Sequence, residues 1–571
     1  MTWRRVRLHA ACLMYLGGWV TSVGVPPALG QGGEPRTFAI RGAKVVPVAG
    51  APIENATVVV SRGIITAVGP NAAIPADAWV IDGKGFTVYP GLIDAFTDVG
   101  LVAPPPPPPS PPEGAPRPQV SPRPPEERPP ASISRGPEDR PATTPWKNAA
   151  DEVIPADPRV QTWRESGFTT VVAASKSGMF PGQAAVLDLE GERGGDFVVK
   201  ASVAVPISLQ PSGNFRSFPG SLMGSMAYVR QVWLDTNWYI QAESAYEKNP
   251  RVERPTYDHT EASLSDALSK HAVVLIPGNS SLQIRRGLQL AEDWKVSGVL
   301  YGAQMAYEVA PEIAAKKMPV LVDLKWPEAE KDSDPEAVPS LRTLRFRDRA
   351  PSSPAALERA GVKFAFYSGG LTAPKDLLPA VKKAIDAGLP PGAALRALTL
   401  SPAEIFGVAW ALGSIEVGKI ANLVVTDGDL FDKKTRVKIV FVDGRRFEVR
   451  EPLRPSEPPK GDLTGKWNLT YTTPEGSEES TADLVMAADG ILTGTVSGPR
   501  GTFSIFSGWA SADKFSFTIN LFIQGSPTDV LFSGTFEANS MKGSIRAVKY
   551  TVDFTGSRPA PPMTVKPGGA R

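Results

Sequence analysis

From Phe38 to Tyr89, short β-branched runs (Lys44 to Val48, Thr57 to Val60, Ile64 to Val68, Trp79 to Ile81) are separated by turn residues such as Ser61-Arg62-Gly63 and Asp82-Gly83. That pattern predicts a small antiparallel sheet. Between Pro155 and Pro402 the texture changes to apolar runs alternating with helical stretches. Phe168 to Ala173, His271 to Pro277, Gly298 to Tyr301, Pro319 to Asp323 and Val362 to Tyr367 read as buried strands; Leu282 to Trp294, Ala310 to Lys317 and Leu377 to Ala387 read as helices. Such alternation implies crossover units and a parallel sheet, most economically a TIM-like (β/α) barrel over residues 91–407, its closure inferred because fewer than eight strands are visible. Ile420 to Phe447 returns to short strands (Asn422 to Thr426, Lys438 to Val442) with an Asp443-Gly444 turn. It groups with the first sheet, so that residues 36–90 and 408–450 are expected to form one composite β-sandwich.

Two proline-rich stretches interrupt this order. Of the 58 prolines, 18 lie between Pro104 and Pro145, beginning with six in a row. A disordered, polyproline-like insertion over 103–146 is expected, either an inert surface excursion or a docking segment for an aromatic groove on a partner. Pro452 to Lys460 marks a linker, 451–460. After it, Lys466 to Thr472, Ala482 to Met486, Leu492 to Ser497, Lys514 to Phe522, Val530 to Phe536 and Lys542 to Lys549 alternate over most of their lengths, and Asp489-Gly490 is a hairpin signal. An independent all-β module, barrel or sandwich, is predicted over 461–557, with a disordered tail over 558–571.

At 571 residues, 42% hydrophobic and 21% charged, the chain has the material for several ordinary globular units. A formal charge of +2 leaves no basic field for nucleic acid. Arg4, Arg5 and Arg7 precede the mostly apolar run Ala10 to Val25, which leads to Ala28-Leu29-Gly30. This reads as a signal peptide over 1–30, since the run falls short of the ~20 residues that span a bilayer. The only cysteine, Cys12, and one of the three histidines, His9, would leave with it. The mature chain is then expected to be periplasmic or secreted, not an integral membrane protein, with no disulfide, no thiolate nucleophile and no cysteine-ligated zinc.

The run Thr87-Val88-Tyr89-Pro90-Gly91-Leu92-Ile93-Asp94-Ala95-Phe96-Thr97-Asp98 resembles the amidohydrolase superfamily, specifically its imidazolonepropionase-like branch. There the same stretch leaves the N-terminal sheet as the first barrel strand, Pro-Gly-Leu/Ile-Ile-Asp-x-His-x-His. A second match runs through Gly388-Leu389-Pro390-Pro391-Gly392-Ala393-Ala394-Leu395, Leu398-Thr399-Leu400-Ser401-Pro402-Ala403-Glu404 and Leu412-Gly413-Ser414-Ile415-Glu416-Val417-Gly418-Lys419-Ile420-Ala421-Asn422-Leu423. It is similar to the family's closing helix and its return to the small sheet. Gly167 to Val172 and Gly182-Gln183 resemble the second-strand region.

The resemblance implies a divalent-metal hydrolase, because a bound cation lowers the pKa of water and polarises a carbonyl. Its ligand positions, however, are degenerate. The two histidines after the first strand correspond to Phe96 and Asp98; the fifth-strand histidine stretch corresponds to Leu275-Ile276-Pro277-Gly278-Asn279-Ser280; the sixth-strand histidine falls on Gly302; and the catalytic aspartate falls on Gly369, after Ser368. His271 at a strand start and His259 beside the capping residues Asp258 and Thr260 are expected to be structural. Asp98 and Asp323, with Asp94 nearby, offer oxygen-only ligation for magnesium, calcium or manganese in an alternative site. Phe96, Tyr301, Tyr367 and Ser368 mark a possible ligand pocket, with Phe366 beside it and Trp233, Trp238 and Tyr239 on an upstream helix. No nucleophile elbow surrounds Ser221, and no P-loop or dinucleotide fingerprint is present. The expectation is a catalytically silent amidohydrolase-like protein that binds or scaffolds an unidentified protein or small molecule without a cofactor. The alternative is a hydrolase of non-peptide carbon-nitrogen bonds working through a non-standard, metal-dependent site. Trp467 and Trp509 of the C-terminal module are candidates for sugar stacking, with a core role expected for Trp467.

Overall fold

The computed structural model describes residues 37–101, 140, 142–210, 219–329, 338–371, 373–449, 457–473, 476–487, 489–499, 501–523, 526–547 and 550–558. The expected signal peptide and most of the proline-rich insertion and tail lie outside them. The chain divides into a unit spanning Pro35–Arg450 and a second containing Glu451–Arg571.

In the first unit, β1 (Thr37–Val45), β2 (Ile53–Ser61), β3 (Ile64–Gly69), β4 (Trp79–Asp82) and β5 (Thr87–Pro90) build a small sheet. The chain then enters the barrel through β6 (Leu92–Thr97), β7 (Phe168–Ala173), β8 (Ala184–Asp188), β9 (Val198–Pro206), β10 (Val273–Gly278), β11 (Gly298–Gly302), β12 (Val320–Asp323) and β13 (Phe364–Tyr367). It returns to the small sheet as β14 (Leu423–Thr426), β15 (Val437–Val442) and β16 (Arg445–Glu448). The small sheet is continuous, ordered β16-β15-β14-β5-β1-β2-β3 with β4 on β1, and folds back on itself, Phe38 of β1 packing edge-on against Phe441 of β15 at 5.5 Å as a composite sandwich requires. It is mixed rather than purely antiparallel. β4 pairs parallel with the first half of β1 and β5 with its end, one strand serving two partners in succession.

Eight strands follow one another around the barrel, and β13 comes back beside β6. The expected parallel sheet carries one correction: β8 runs antiparallel to both β7 and β9. The segments flanking it, 174–183 and 189–197, are too short for a helical crossover, and a hairpin is the connection such lengths permit. Side chains alternate as the pleat requires. On β13, Phe364 and Phe366 face the outer helices while Ala365 and Tyr367 face inward, joining Ile93, Val172, Leu275, Val299 and Leu321. Ile405, Phe406, Val408 and Leu412 pack against this inner layer.

Four helices flank β7 and β10. α1 (Pro158–Glu165) precedes β7; α2 (Leu222–Lys248) and α3 (His259–Ser269) precede β10; α4 (Ser281–Trp294) follows it. Each begins on a side-chain cap, Asp157, Ser221, Asp258 and Ser280 in turn, which accepts a hydrogen bond from an otherwise unpaired N–H of the first turn. The expected insertion boundary at 146 moves back. Arg140 pairs with Asp258 (2.8 Å) and Glu261 (3.0 Å), Thr143 is buried, and Thr144 donates its N–H to Phe180 O. These pairings fix the end of the insertion, from Arg140, against α3 and the 180–183 segment.

The second unit contains a closed antiparallel barrel: β17 (Gly465–Thr473), β18 (Gly476–Met486), β19 (Leu492–Gly498), β20 (Gly501–Ser511), β21 (Lys514–Ile523), β22 (Ser526–Glu537), β23 (Ser540–Ala547) and β24 (Tyr550–Ser557). Its interior is packed with aromatic and aliphatic side chains. Trp467, Phe515, Phe517, Phe532 and Phe554 fill it, with Phe517 and Phe532 stacked at 4.8 Å. Two ends differ from expectation. Glu457 and Lys460, assigned to the linker, hydrogen-bond to Ser511 and Ala512, and Arg558, assigned to the tail, donates to Thr464 O at 2.8 Å.

Candidate functional site

Active sites of (β/α) barrels lie at the C-terminal ends of the strands, where neighbouring strands aim side chains into one mouth. Phe96, the next-to-last residue of β6, is 5% exposed, its ring centroid 5.3 Å from that of Tyr301 on β11 and 5.7 Å from that of Tyr367 at the end of β13. The three rings form one wall. The Tyr301 hydroxyl donates to Ile207 O at 2.9 Å, and the Tyr367 hydroxyl is 3.5 Å from Asp323 Oδ2. Burial raises both phenol pKa values, the Asp323 charge adding to the effect at Tyr367.

Gly302 and Gly369 both sit at positive φ, 97° and 59°. A Cβ at Gly302 would overlap the Asn279 side chain, and one at Gly369 would overlap the Asp323 carboxylate. The two positions are thus not gaps. The space a side chain would enter is taken by a neighbour from the adjoining strand end.

Asp98, just past β6, is held by two cations, Arg159 Nη1 and Lys176 Nζ, each at 3.3 Å. Burial pushes its carboxyl upward, but Lys176 and then Arg159 outweigh that and leave the pKa below the ordinary range. Lys176 Nζ also donates to Gly369 O at 3.3 Å and acts electrostatically on Asp94 and Asp323. Asp94 is buried under the mouth, where Oδ1 accepts from Ser368 N (2.9 Å) and Oδ2 from Trp163 Nε1 (3.2 Å). It ties β6 to the end of β13. Asp323 Oδ1 accepts from Lys325 N at 2.7 Å, and burial pushes its carboxyl up to about 6 against that bond and the two lysines.

Of the expected pocket residues, Phe96, Tyr301 and Tyr367 line a cavity of about 210 Å³ together with Lys176, Ser208 and Asp323. Ser368 lies beneath it, buried and engaged with Asp94. Phe366 points away, into the outer core. On α2, Trp233 stacks on Trp294 at 4.6 Å, Tyr239 is buried and Trp238 is exposed. His259 stacks on Trp146 at 4.6 Å beside the cap Asp258. His271 occupies an exposed turn at φ 62° two residues before β10, one turn short of the strand start expected for it. Trp467 is buried, its Nε1 donating to Leu463 O, whereas Trp509 Nε1 is buried without a hydrogen-bond partner. Two groups that shape the mouth, Lys176 and Arg159, escape the motif comparison, whereas Asn279 lies within the fifth-strand stretch without having been singled out. Lys176 stands three residues past β7, and its position after a barrel strand was the available signal.

The donor set does not fit a divalent metal. Among the described residues no three of His, Cys, Asp or Glu converge on one point, and the two candidate carboxylates are engaged, Asp98 by two cations and Asp323 by a backbone N–H. An ammonium group stands where a metal would need a neutral or negative neighbour.

Residues 338–449 match the model of the amidohydrolase family. A comparison with curated proteins finds no match. Among solved structures, an amidohydrolase from Thermotoga maritima is 23% identical with a TM-score of 0.59, over 72% of this chain and 100% of that one. A Xaa-Pro dipeptidase with bound methionine (16% identity, TM-score 0.44, 72% of this chain and 100% of that one) and molinate hydrolase (16%, 0.42, 73% and 95%) also align.

Proposed function

We propose that the Pro35–Arg450 unit, a barrel of the amidohydrolase superfamily, is a catalytically silent member that binds a small molecule or protein at its mouth. Lys176 carries this reading. Its ammonium, 3.3 Å from Asp98 and from Gly369 O, supplies fixed positive charge among carboxylates but has no open coordination position at which to bind and activate a water as a metal ion does. The aromatic wall of Phe96, Tyr301 and Tyr367 gives an apolar face with a few polar groups at its edge, the usual composition of a ligand site. The cavity is small, so a compact ligand or one inserted side chain suits it. No cofactor is required, and export after removal of residues 1–30 completes the reading.

The test is elemental mass spectrometry on chain purified from the exported fraction, incubated with zinc, manganese and magnesium and exchanged into metal-free buffer. Less than a tenth of an equivalent of each is expected, roughly the level of non-specific carry-over, with an N-terminus near Gln31. One equivalent of a metal, lost on Asp98→Ala together with amide or cyclic-amide hydrolysis, would overturn it.

A second reading, hydrolysis of non-peptide carbon-nitrogen bonds, is favoured by one observation: Asp323, with its carboxyl at about 6, borders the cavity next to Tyr367. It requires turnover that falls with Asp323→Asn, and loss of that turnover on chelation would return it to the metal-dependent form expected from the sequence.

A further inference from the structure

Helix α2 buries Tyr228, Val229, Val232, Trp233, Thr236 and Tyr239 and leaves another face bare. Met223, Leu234 and Trp238 are 82%, 61% and 62% exposed. Leu234 and Trp238 are one turn apart and Met223 three turns earlier, so the three share a stripe. Tyr257, ahead of the α3 cap, is 68% exposed. Large apolar side chains grouped this way mark a contact surface rather than scattered exposure.

Arg140 stands between the two halves of this surface. Its guanidinium lies 2.8 Å from Asp258, next to Tyr257, and 3.9 Å from Asp235, next to Leu234, with Glu261 at 3.0 Å. Arg140 directly follows the densest part of the proline-rich run. Residues 102–139 contain sixteen prolines and no lysine, and arrive at the protein here.

We propose that the α2 stripe and Tyr257 are the docking surface for this chain's own proline-rich segment, laid along it from the Arg140 anchor. Polyproline is extended and stiff, presents ring faces without internal hydrogen bonds, and is recognised by exposed aromatic side chains. The anchor makes the contact intramolecular, so a weak interaction suffices. The stripe from Met223 to Trp238 runs ~22 Å along the helix, a distance that about seven extended residues cross, well within the segment.

Trypsin gives a clean readout. Arg117, Arg123 and Arg128 each precede proline, a bond trypsin leaves intact, so Arg135–Gly136 is the one bond within 102–139 that it opens. In the full chain this cut is expected to be slow, and in a Leu234→Ser, Trp238→Ser, Tyr257→Ser variant roughly tenfold faster, as for loss of a local docking contact. Equal rates in variant and parent, with unchanged thermal transitions, would overturn the proposal. Hydroxyl-radical labelling of Met223 and Trp238 is the second measurement. It should rise severalfold when residues 104–137 are deleted. No rise would overturn the proposal, and shielding in the full chain that fades on dilution would overturn it by assigning the surface to a second copy.

Discussion

Asp188, at the end of β8, is buried. Its Oδ1 accepts from Thr170 Oγ1 and Asn422 Nδ2, both at 2.7 Å, while Asn422 Oδ1 accepts from Asp443 N at 2.7 Å. Asn422, part of the Ala-Asn-Leu motif, thereby joins the barrel to the small sheet. Burial pushes the Asp188 carboxyl from 3.8 up to about 7, against the two hydrogen bonds and with some help from Asp443. Between those values the unfolded chain has lost this proton and the folded chain keeps it. The contribution of Asp188 to stability is therefore complete below about pH 4, declines as pH rises and is gone above about 7, with a slope of at most roughly 1.4 kcal/mol per unit. Asp188→Asn keeps the acceptor and removes the titration. Urea midpoints at pH 5 and 8 should fall for the parent and fall less for the variant. At this scale the sequence alone shows that Phe96, Gly302 and Gly369 carry neither imidazole nor carboxylate. It conceals what occupies the space those groups would fill. The overlaps of Gly302 with Asn279 and Gly369 with Asp323 join residues 23 and 46 positions apart, a relation set by strand adjacency alone.

Elements were legible where a segment carried its own signal. The helix from Leu282 and the strand from Phe168 emerged nearly to the residue because apolar spacing and flanking turns agreed. β8, five residues all buried, has no alternation to read, and β9 changes from half-buried to buried along its length. In the C-terminal barrel, β20 and β24 escaped notice. Inward positions there include Gly508 and Gly556, whose missing side chains make room for Leu492 and Met541, so the hydrophobic period is broken where packing is tightest. Asp258 illustrates an element boundary with two duties. It caps α3 through Glu261 N (3.1 Å) and holds Arg140 through both carboxylate oxygens. Asp258→Ala should cost about 1–3 kcal/mol in urea unfolding, and Asp258→Asn less, since the cap survives and only the charge is lost.

Across the whole molecule, composition and motif order pointed to the two folded units, whereas the expected boundaries at 146, 460 and 558 shifted once the hydrogen bonds of Arg140, Glu457, Lys460 and Arg558 were known. The C-terminal barrel closes on itself, with every strand paired on both sides and a core made entirely from its own residues. Closure leaves no sheet edge in need of a neighbour. Residues 457–558 expressed alone should therefore fold and unfold in a single cooperative transition, with near-ultraviolet circular dichroism from buried Trp467; a broad, non-cooperative melt would refute this.

The small sheet is stitched from both ends of the first unit, and β5 finds its partner β14 only after 332 intervening residues. A ribosome adding 5 to 20 residues per second needs roughly 20 to 60 s to deliver that partner. For that interval the nascent chain holds β1, β2 and β5 as an incomplete layer with an open edge, the arrangement most prone to pairing with a stranger. Completion of the barrel unit is thus a clock set by its last strands, and a chaperone that keeps the early strands apart until Leu423 emerges would decide the yield of correctly assembled protein.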